Sequence, residues 1–359
     1  MSEEIIIRAL GAGLEVGRSC ILIQFRGRSV LFGCGIHPGK NGRDSLPMLD
    51  DIHDVKLDCI LITHFHSDHC AALPYIMTRS NIIGEARPKI FMTQPTRTLY
   101  EYVTKDFIRK ATRGNFGAAA AARSGIDLSA APGNESGSNG SQLYEEGDIA
   151  KTNESIEIIG FDETIEYKGI KITCLNAGHV LGACMFFVDI DGKRVLYTGD
   201  FSRQEDHHLM GAKTPTIPGV DVLIIESTYG INNHDPREKR EMDFLMAVRS
   251  YIDKGGGKCL IPHVRAGAHA DPGGALDAAP PELAEVPLWF CSSMADKYLD
   301  VYQRSIEYMN DRVKGATASP FEFSPLFFLQ EAVRHQHGNA LRRDRGPQDA
   351  PERDVAEDL

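Results

Sequence analysis

Apolar residues in this chain gather mostly into short runs bounded by glycine, proline or polar clusters, a pattern that predicts strands. Runs at residues 4–9, 20–25, 29–32 and 57–63 supply a first sheet, and residues 89–93 a further strand. Residues 170–175, 194–198 and 221–225 read the same way. Helical spacing takes over elsewhere. Over residues 95–110 it puts Leu99, Tyr102, Val103 and Phe107 on one face, and other helices are expected at 71–79 and 295–309. Asp235-Pro236-Arg237-Glu238 predicts a helix start, with Asp at the cap, Pro at the first position and Glu three residues after the cap. That helix is expected to bury Phe244, Leu245, Val248 and Ile252 and to stop at Gly255-Gly256-Gly257. Strands are expected at 259–262 and 288–291. Residues 117–146 hold Ala, Gly, Ser and Asn with few large apolar side chains, which predicts a disordered surface insertion. The mixture reads as an α/β chain.

One of the predicted strands leads directly into unusual chemistry. After residues 57–63 the chain reads His64-Phe65-His66-Ser67-Asp68-His69, three imidazoles and a carboxylate in six residues. On a loop at a strand end, alternate residues can turn toward one point. Neutral imidazole nitrogens and carboxylate oxygens are good ligands for a divalent metal such as zinc. Two more strand-like runs end in ligand types, at Asn176-Ala177-Gly178-His179 and at Thr198-Gly199-Asp200. Singly, a His or Asp at a strand end is more often a cap or turn residue. Together with the first cluster these complete a two-metal shell: His64, His66 and His179 on one ion, Asp68 and His69 on the other, and Asp200 between them. Such a pair, roughly 3.5–4 Å apart, suits in-line attack on a phosphodiester.

The order of these motifs resembles the metallo-β-lactamase superfamily. Gly11-Ala12-Gly13-Leu14-Glu15-Val16-Gly17-Arg18-Ser19-Cys20, Gly35-Ile36-His37-Pro38-Gly39, Ala177-Gly178-His179-Val180-Leu181-Gly182-Ala183 and Glu226-Ser227-Thr228-Tyr229-Gly230 are similar to its β-CASP branch. Thr198-Gly199-Asp200-Phe201-Ser202-Arg203-Gln204-Glu205-Asp206 is similar to the nucleases of pre-mRNA 3′-end processing within that branch. The resemblance implies an αββα sandwich with a partial β-CASP cap domain. Its domains are then residues 1–230 for the lactamase-like part, 231–325 for the partial cap and 326–359 for a polar tail. It implies an RNA endonuclease in which a zinc-bound hydroxide cuts the strand, working in the nucleus on pre-mRNA with other subunits of the cleavage and polyadenylation complex. By matching motif, His64, His66, Asp68, His69, His179 and Asp200 are the metal ligands. Asp68, Asp200 and Glu226 are the catalytic carboxylates, with Glu226 orienting a catalytic histidine.

Three departures from the family pattern qualify that expectation. Gly33 stands where the family has an aspartate that helps orient a ligand from behind, and losing such a partner typically costs about 10–100-fold in metal affinity or activity. Residues 263–281 are rich in Gly, Pro and Ala where the family has an apolar helix. Beyond Pro325 the resemblance stops, and the two further histidine motifs of the family are not recognisable. His335 and His337 lie in a polar setting that matches neither. Two zinc ions are expected, with the second site incomplete. A catalytically silent subunit that binds partners or zinc is therefore the alternative reading, and a small-molecule hydrolase a more distant one.

Composition adds little to this. At 359 residues, 42% hydrophobic and 25% charged, the chain has room for two domains. Eight cysteines without a CxxC pair suggest buried free thiols rather than a disulfide framework or a zinc ribbon, Cys70 among them. No signal peptide and no apolar run long enough to span a bilayer is evident. The net charge of −11 argues against a free-standing nucleic-acid binder and suggests that partner proteins help hold the RNA. Two zinc ions would add positive charge at the cleft itself.

Overall fold

A computed structural model describes residues 4–83, 87–123, 142–216, 219–253, 259–260 and 294–317. Strands β1 (Ile6–Gly11), β2 (Cys20–Phe25), β3 (Arg28–Phe32), β4 (Cys59–Leu61), β5 (Lys89–Met92) and β6 (Ile156–Ile158) lie side by side in that order. The first three pair antiparallel and the rest parallel. A second sheet runs β7 (Thr164–Tyr167), β8 (Ile170–Asn176), β9 (Cys184–Ile190), β10 (Lys193–Tyr197) and β11 (Val222–Ile224). It is antiparallel up to β10, and β11 joins parallel. The helices are α1 (Ser67–Cys70), α2 (Leu73–Thr78), α3 (Gln94–Arg123), α4 (Glu146–Asn153), α5 (Arg237–Ile252), α6 (Ala295–Arg304) and α7 (Asp311–Thr317).

Side-chain alternation sorts the strands into layers. Along β2, Ile21, Ile23 and Phe25 face inward to meet Ile170, Ile172, Phe186 and Val188 of the other sheet. Cys20 and Leu22 point the opposite way, toward a core shared with Leu73 and Ile76 of α2, Tyr100 of α3 and Ile149 of α4. On the second sheet, Met185, Phe187 and Leu196 face outward and pack with Leu99 and Val103 of α3 and with Val301, Met309 and Val313. Helix, sheet, sheet and helix are thus stacked as the αββα sandwich that the sequence led us to expect. Because both faces of the central strands are covered, β2 and β9 read as nearly continuous apolar runs.

Several borders differ from the expectation. Helix α3 continues to Arg123, and Leu143 and Tyr144 are buried in the core under α4. The insertion expected over 117–146 is therefore shorter at both ends, and residues 124–141 lie outside the described residues. Helix α5 begins one residue later than expected, with Pro236 at its cap. Asp235 instead pairs with Lys239 at 3.0 Å across one helical turn, and no side chain caps the helix. Only Val248 of its expected apolar row is fully buried, and Phe244, Leu245 and Ile252 are half-buried. Cys259 and Leu260 are in no strand, and Leu260 is exposed. The strand expected at 288–291, the irregular stretch 263–281 and the tail from 326 lie outside the described residues. Cys20, Cys34, Cys59, Cys70, Cys174 and Cys184 are buried free thiols, as composition suggested, whereas Cys259 is exposed.

Candidate metal centre

Four strands deliver the predicted residues to one end of the sandwich. His64 follows β4, His179 follows β8, Asp200 follows β10 and Glu226 follows β11. The His64–His69 loop is gripped by main-chain groups from the first sheet. The Ser19 amide donates to the Asp68 carbonyl at 2.7 Å, Cys34 to that of His69 at 2.8 Å and Ile36 to that of Ser67 at 3.0 Å. Gly35 lies flat against this loop: a Cβ there would fall 1.7 Å from the Asp68 carbonyl oxygen, so no side chain fits. Gly199 is constrained likewise, with φ +54° and a Cβ position 2.7 Å from the Thr63 hydroxyl. This close approach brings Asp200 over the end of β4.

His179 stands in a left-handed backbone conformation (φ +56°), unusual for a residue with a side chain. Its loop is tied at both sides. The Thr93 hydroxyl donates to the Gly182 carbonyl at 2.6 Å, and the Asn176 carboxamide accepts from the Gly178 amide at 3.0 Å while donating to the Met210 and Gly211 carbonyls.

The donor atoms converge. His64, His66, His179 and Asp200 each offer a ligand atom within 4.8 Å of the others. His64 Nε2 lies 3.1 Å from His66 Nδ1, which is 3.4 Å from His179 Nε2. Asp200 Oδ2 is 3.8 Å from His64 Nε2 and 3.6 Å from His179 Nε2. Its other oxygen, Oδ1, is 3.4 Å from His69 Nε2, which is itself 3.6 Å from an Asp68 oxygen. Asp200 therefore has one oxygen near His64 and His179 and the other near His69. Glu226 is set apart from them. Its carboxylate accepts the Phe201 amide at 2.8 Å, holding the backbone next to Asp200.

Protonation also suits a cation. Burial, reinforced by His69, His66 and His179, drives the His64 imidazole well below its ordinary pKa, so it is neutral and free to ligate. Burial alone would raise Asp200, but the hydrogen bond and charge of His69 outweigh it and hold the carboxyl at about 2. Burial would likewise lower His69, but the hydrogen bond and charge of Asp200 overcome this and carry its pKa upward.

The residues behind the donors escaped the sequence reading. The Thr63 hydroxyl lies 3.0 Å from His64 Nδ1 and turns Nε2 toward the cluster. In the sequence it is one more strand residue. Ser19 and Tyr197 share a buried hydroxyl contact of 3.1 Å, with the Tyr197 ring against Phe32. Gly33 adopts φ +70°, and a Cβ there would lie 2.8 Å from the Ser19 carbonyl oxygen. In this chain the position is shaped around glycine. Separately, His69 Nδ1 is buried with no hydrogen-bond partner among the described residues.

Comparison with known proteins agrees with this geometry. A family model described as a metallo-beta-lactamase superfamily domain matches residues 22–225. Cleavage and polyadenylation specificity factor subunit 3 of Dictyostelium discoideum is 39% identical over 95% of this chain and 40% of its own length. Cleavage and polyadenylation specificity factor 73 of Drosophila melanogaster is 40% identical over 92% of the chain and 44% of its own. An endoribonuclease YSH1 of Mycosarcoma maydis is 37% identical over 96% and 36% respectively. The chain thus spans less than half the length of these relatives. It belongs to the metallo-beta-lactamase superfamily.

Proposed function

We propose that this chain carries the metal centre of a zinc-dependent RNA endonuclease of pre-mRNA 3′-end processing, working in the nucleus with other subunits of the cleavage and polyadenylation complex. The observation that carries the proposal is one ionised carboxylate, Asp200, set between a three-histidine group and the Asp68–His69 pair. The naming of one relative as an endoribonuclease, and of others as cleavage and polyadenylation factor subunits, supports the substrate and setting.

In this reading His64, His66, His179 and Asp200 would hold one zinc, and Asp68 and His69 would help hold a second. When bound, such a pair supplies Lewis acidity toward a phosphate and acidifies water near neutral pH. The protein's own residues do the rest. Thr63 fixes the orientation of His64, and Gly35 and Gly199 permit the close backbone approaches that set the spacing. Glu226 steadies Asp200 through the Phe201 amide. Asp68, partly exposed beside His69, would accept a proton from water in this reading.

One observation favours a second reading, a catalytically silent subunit: the buried His69 Nδ1 lacks a hydrogen-bond partner among the described residues. Metal analysis of the purified chain, with cleavage of a pre-mRNA fragment by wild type, Asp68→Ala and His69→Ala, separates the two. Cleavage abolished in both variants is the expected result. Equal cleavage by all three proteins would exclude the endonuclease reading, and zinc binding without cleavage would favour the silent subunit.

A further inference from the structure

Between Asp200 and β11 the chain makes a closed loop. Its base is pinned where the Ala212 amide donates to the Ser202 carbonyl at 2.7 Å and the Ser202 amide to the Ala177 carbonyl at 2.9 Å. Gly178, next to His179, sits so tightly against this base that a Cβ would fall 2.5 Å from the Ser202 carbonyl oxygen. The loop thus touches two donors of the metal centre at once: Asp200 leads into it, and the His179 backbone rests on it. Its tip, residues 206–209, is folded over by an Asp206 amide bond to the Leu209 carbonyl at 2.9 Å.

The tip is held from a distant part of the chain. Asn310, 2% exposed, donates its carboxamide to the Asp206 and His207 carbonyls at 2.9 and 3.3 Å and its backbone amide to the His208 carbonyl at 2.9 Å. Its carboxamide oxygen accepts from the Val313 amide at 3.0 Å, capping α7. Leu209 is buried with Val301, Met309 and Val313 beside this clasp. Three bonds from one buried side chain and its amide exceed what docking α7 requires, since the cap and the apolar contacts already do that.

We propose that Asn310 is a positioning residue for the metal centre: by fixing the 206–209 tip it sets the loop that orients Asp200 and His179. The proposal rests on the metal-dependent reading of the site. By linkage, if the clasp strengthens metal binding, metal binding must strengthen the clasp to the same degree.

The test uses the full 359-residue chain and zinc alone. Asn310→Ser keeps an oxygen to cap α7 but offers a single hydroxyl proton on a shorter side chain in place of the carboxamide that serves both carbonyls. Expected is a zinc dissociation constant, by competition with a chromophoric chelator, raised about 10-fold, at the lower end of the range for residues that orient ligands. The melting temperature of the metal-free variant should stay within a few degrees of wild type. Should Asn310→Ser fail to fold, hydrogen exchange on wild type decides: zinc is expected to slow exchange of the Asn310 and Ala212 amides several-fold. Unchanged zinc affinity in the variant, or exchange indifferent to zinc, overturns the proposal and leaves Asn310 as an anchor for residues 294–317. Wild type that binds no zinc would instead remove the metal-dependent reading and this proposal with it.

Discussion

His64 and His69 face the same carboxylate with different support behind them. The far nitrogen of His64 has the Thr63 hydroxyl at 3.0 Å, whereas that of His69 is buried without a partner among the described residues. An unmade hydrogen bond of this kind costs about 1–3 kcal/mol, and an imidazole without an orienting partner is a poorer ligand. Zinc is therefore expected to bind the chain in two steps, the second roughly 10–100-fold weaker. His69→Ala should remove the weak step and spare the tight one, while His64→Ala should abolish the tight one. A competition titration checks this, and two equal affinities in wild type would refute it. These two histidines also show what the sequence made legible. Five polar residues in a stretch of six at a strand end advertise chemistry by their density, so His64, His66, Asp68 and His69 stood out as candidates. Thr63 did not, because a threonine in an apolar run looks like any other strand residue until the strand end is seen beside it.

Among the elements, α2 and α4 depend on one buried carboxylate. Asp148 accepts from the Glu145 amide at 3.0 Å, completing a capping box at the start of α4, and from Arg79, which closes α2, at 2.8 Å. Burial alone would raise its pKa, but the hydrogen bonds of Arg79, the Glu145 amide and Thr78 outweigh it and hold the carboxyl below its ordinary value. A pKa depressed on folding contributes stability that is present above the unfolded value, near 4, and lost as pH falls through the folded value. Asp148→Asn keeps an acceptor for the Glu145 amide but loses the charge-assisted contact with partly exposed Arg79, so it is expected to cost about 1 kcal/mol or less at pH 7, and progressively less below pH 4. Urea unfolding at the two pH values measures it; a cost that does not shrink on acidification would show that the charge is immaterial. The strands that ended in chemistry were legible, but β6, β7 and α4 were not. Their few apolar residues acquire a face only from neighbours far off in sequence, as Ile156 does beside β5. Asp235 misled for a related reason: a capping sequence also suits a helix whose first turn stays in water and pairs with Lys239.

Seen whole, the sandwich leaves one flank bare among the described residues. Strand β11 is the last of its sheet, and Leu223 and Ile225 are each 54% exposed there. Open edges with apolar side chains recruit further strands. Leu223→Lys is accordingly expected to reduce concentration-dependent association of this chain without lowering its melting temperature, as light scattering across a dilution series will show. Unaltered scattering would place the sticky surface elsewhere, for instance along Met242 and Met246 of α5. Most of the first sheet and strands β8, β10 and β11 of the second were written in the hydrophobic pattern, whereas β9, which joins β8 to β10, was not predicted. Nor was the coupling of residues 294–317 to the loop after Asp200, since Asn310 makes its bonds to bare carbonyls that carry no signature in a sequence. The grip on the His64–His69 loop is of the same anonymous kind, made by the amides of Ser19, Cys34 and Ile36. Those side chains can drift in evolution while the grip persists. A grip made by peptide groups also asks little of residue identity, so Ser19, Cys34 and Ile36 should tolerate exchange for residues of similar size while the His64–His69 segment stays held.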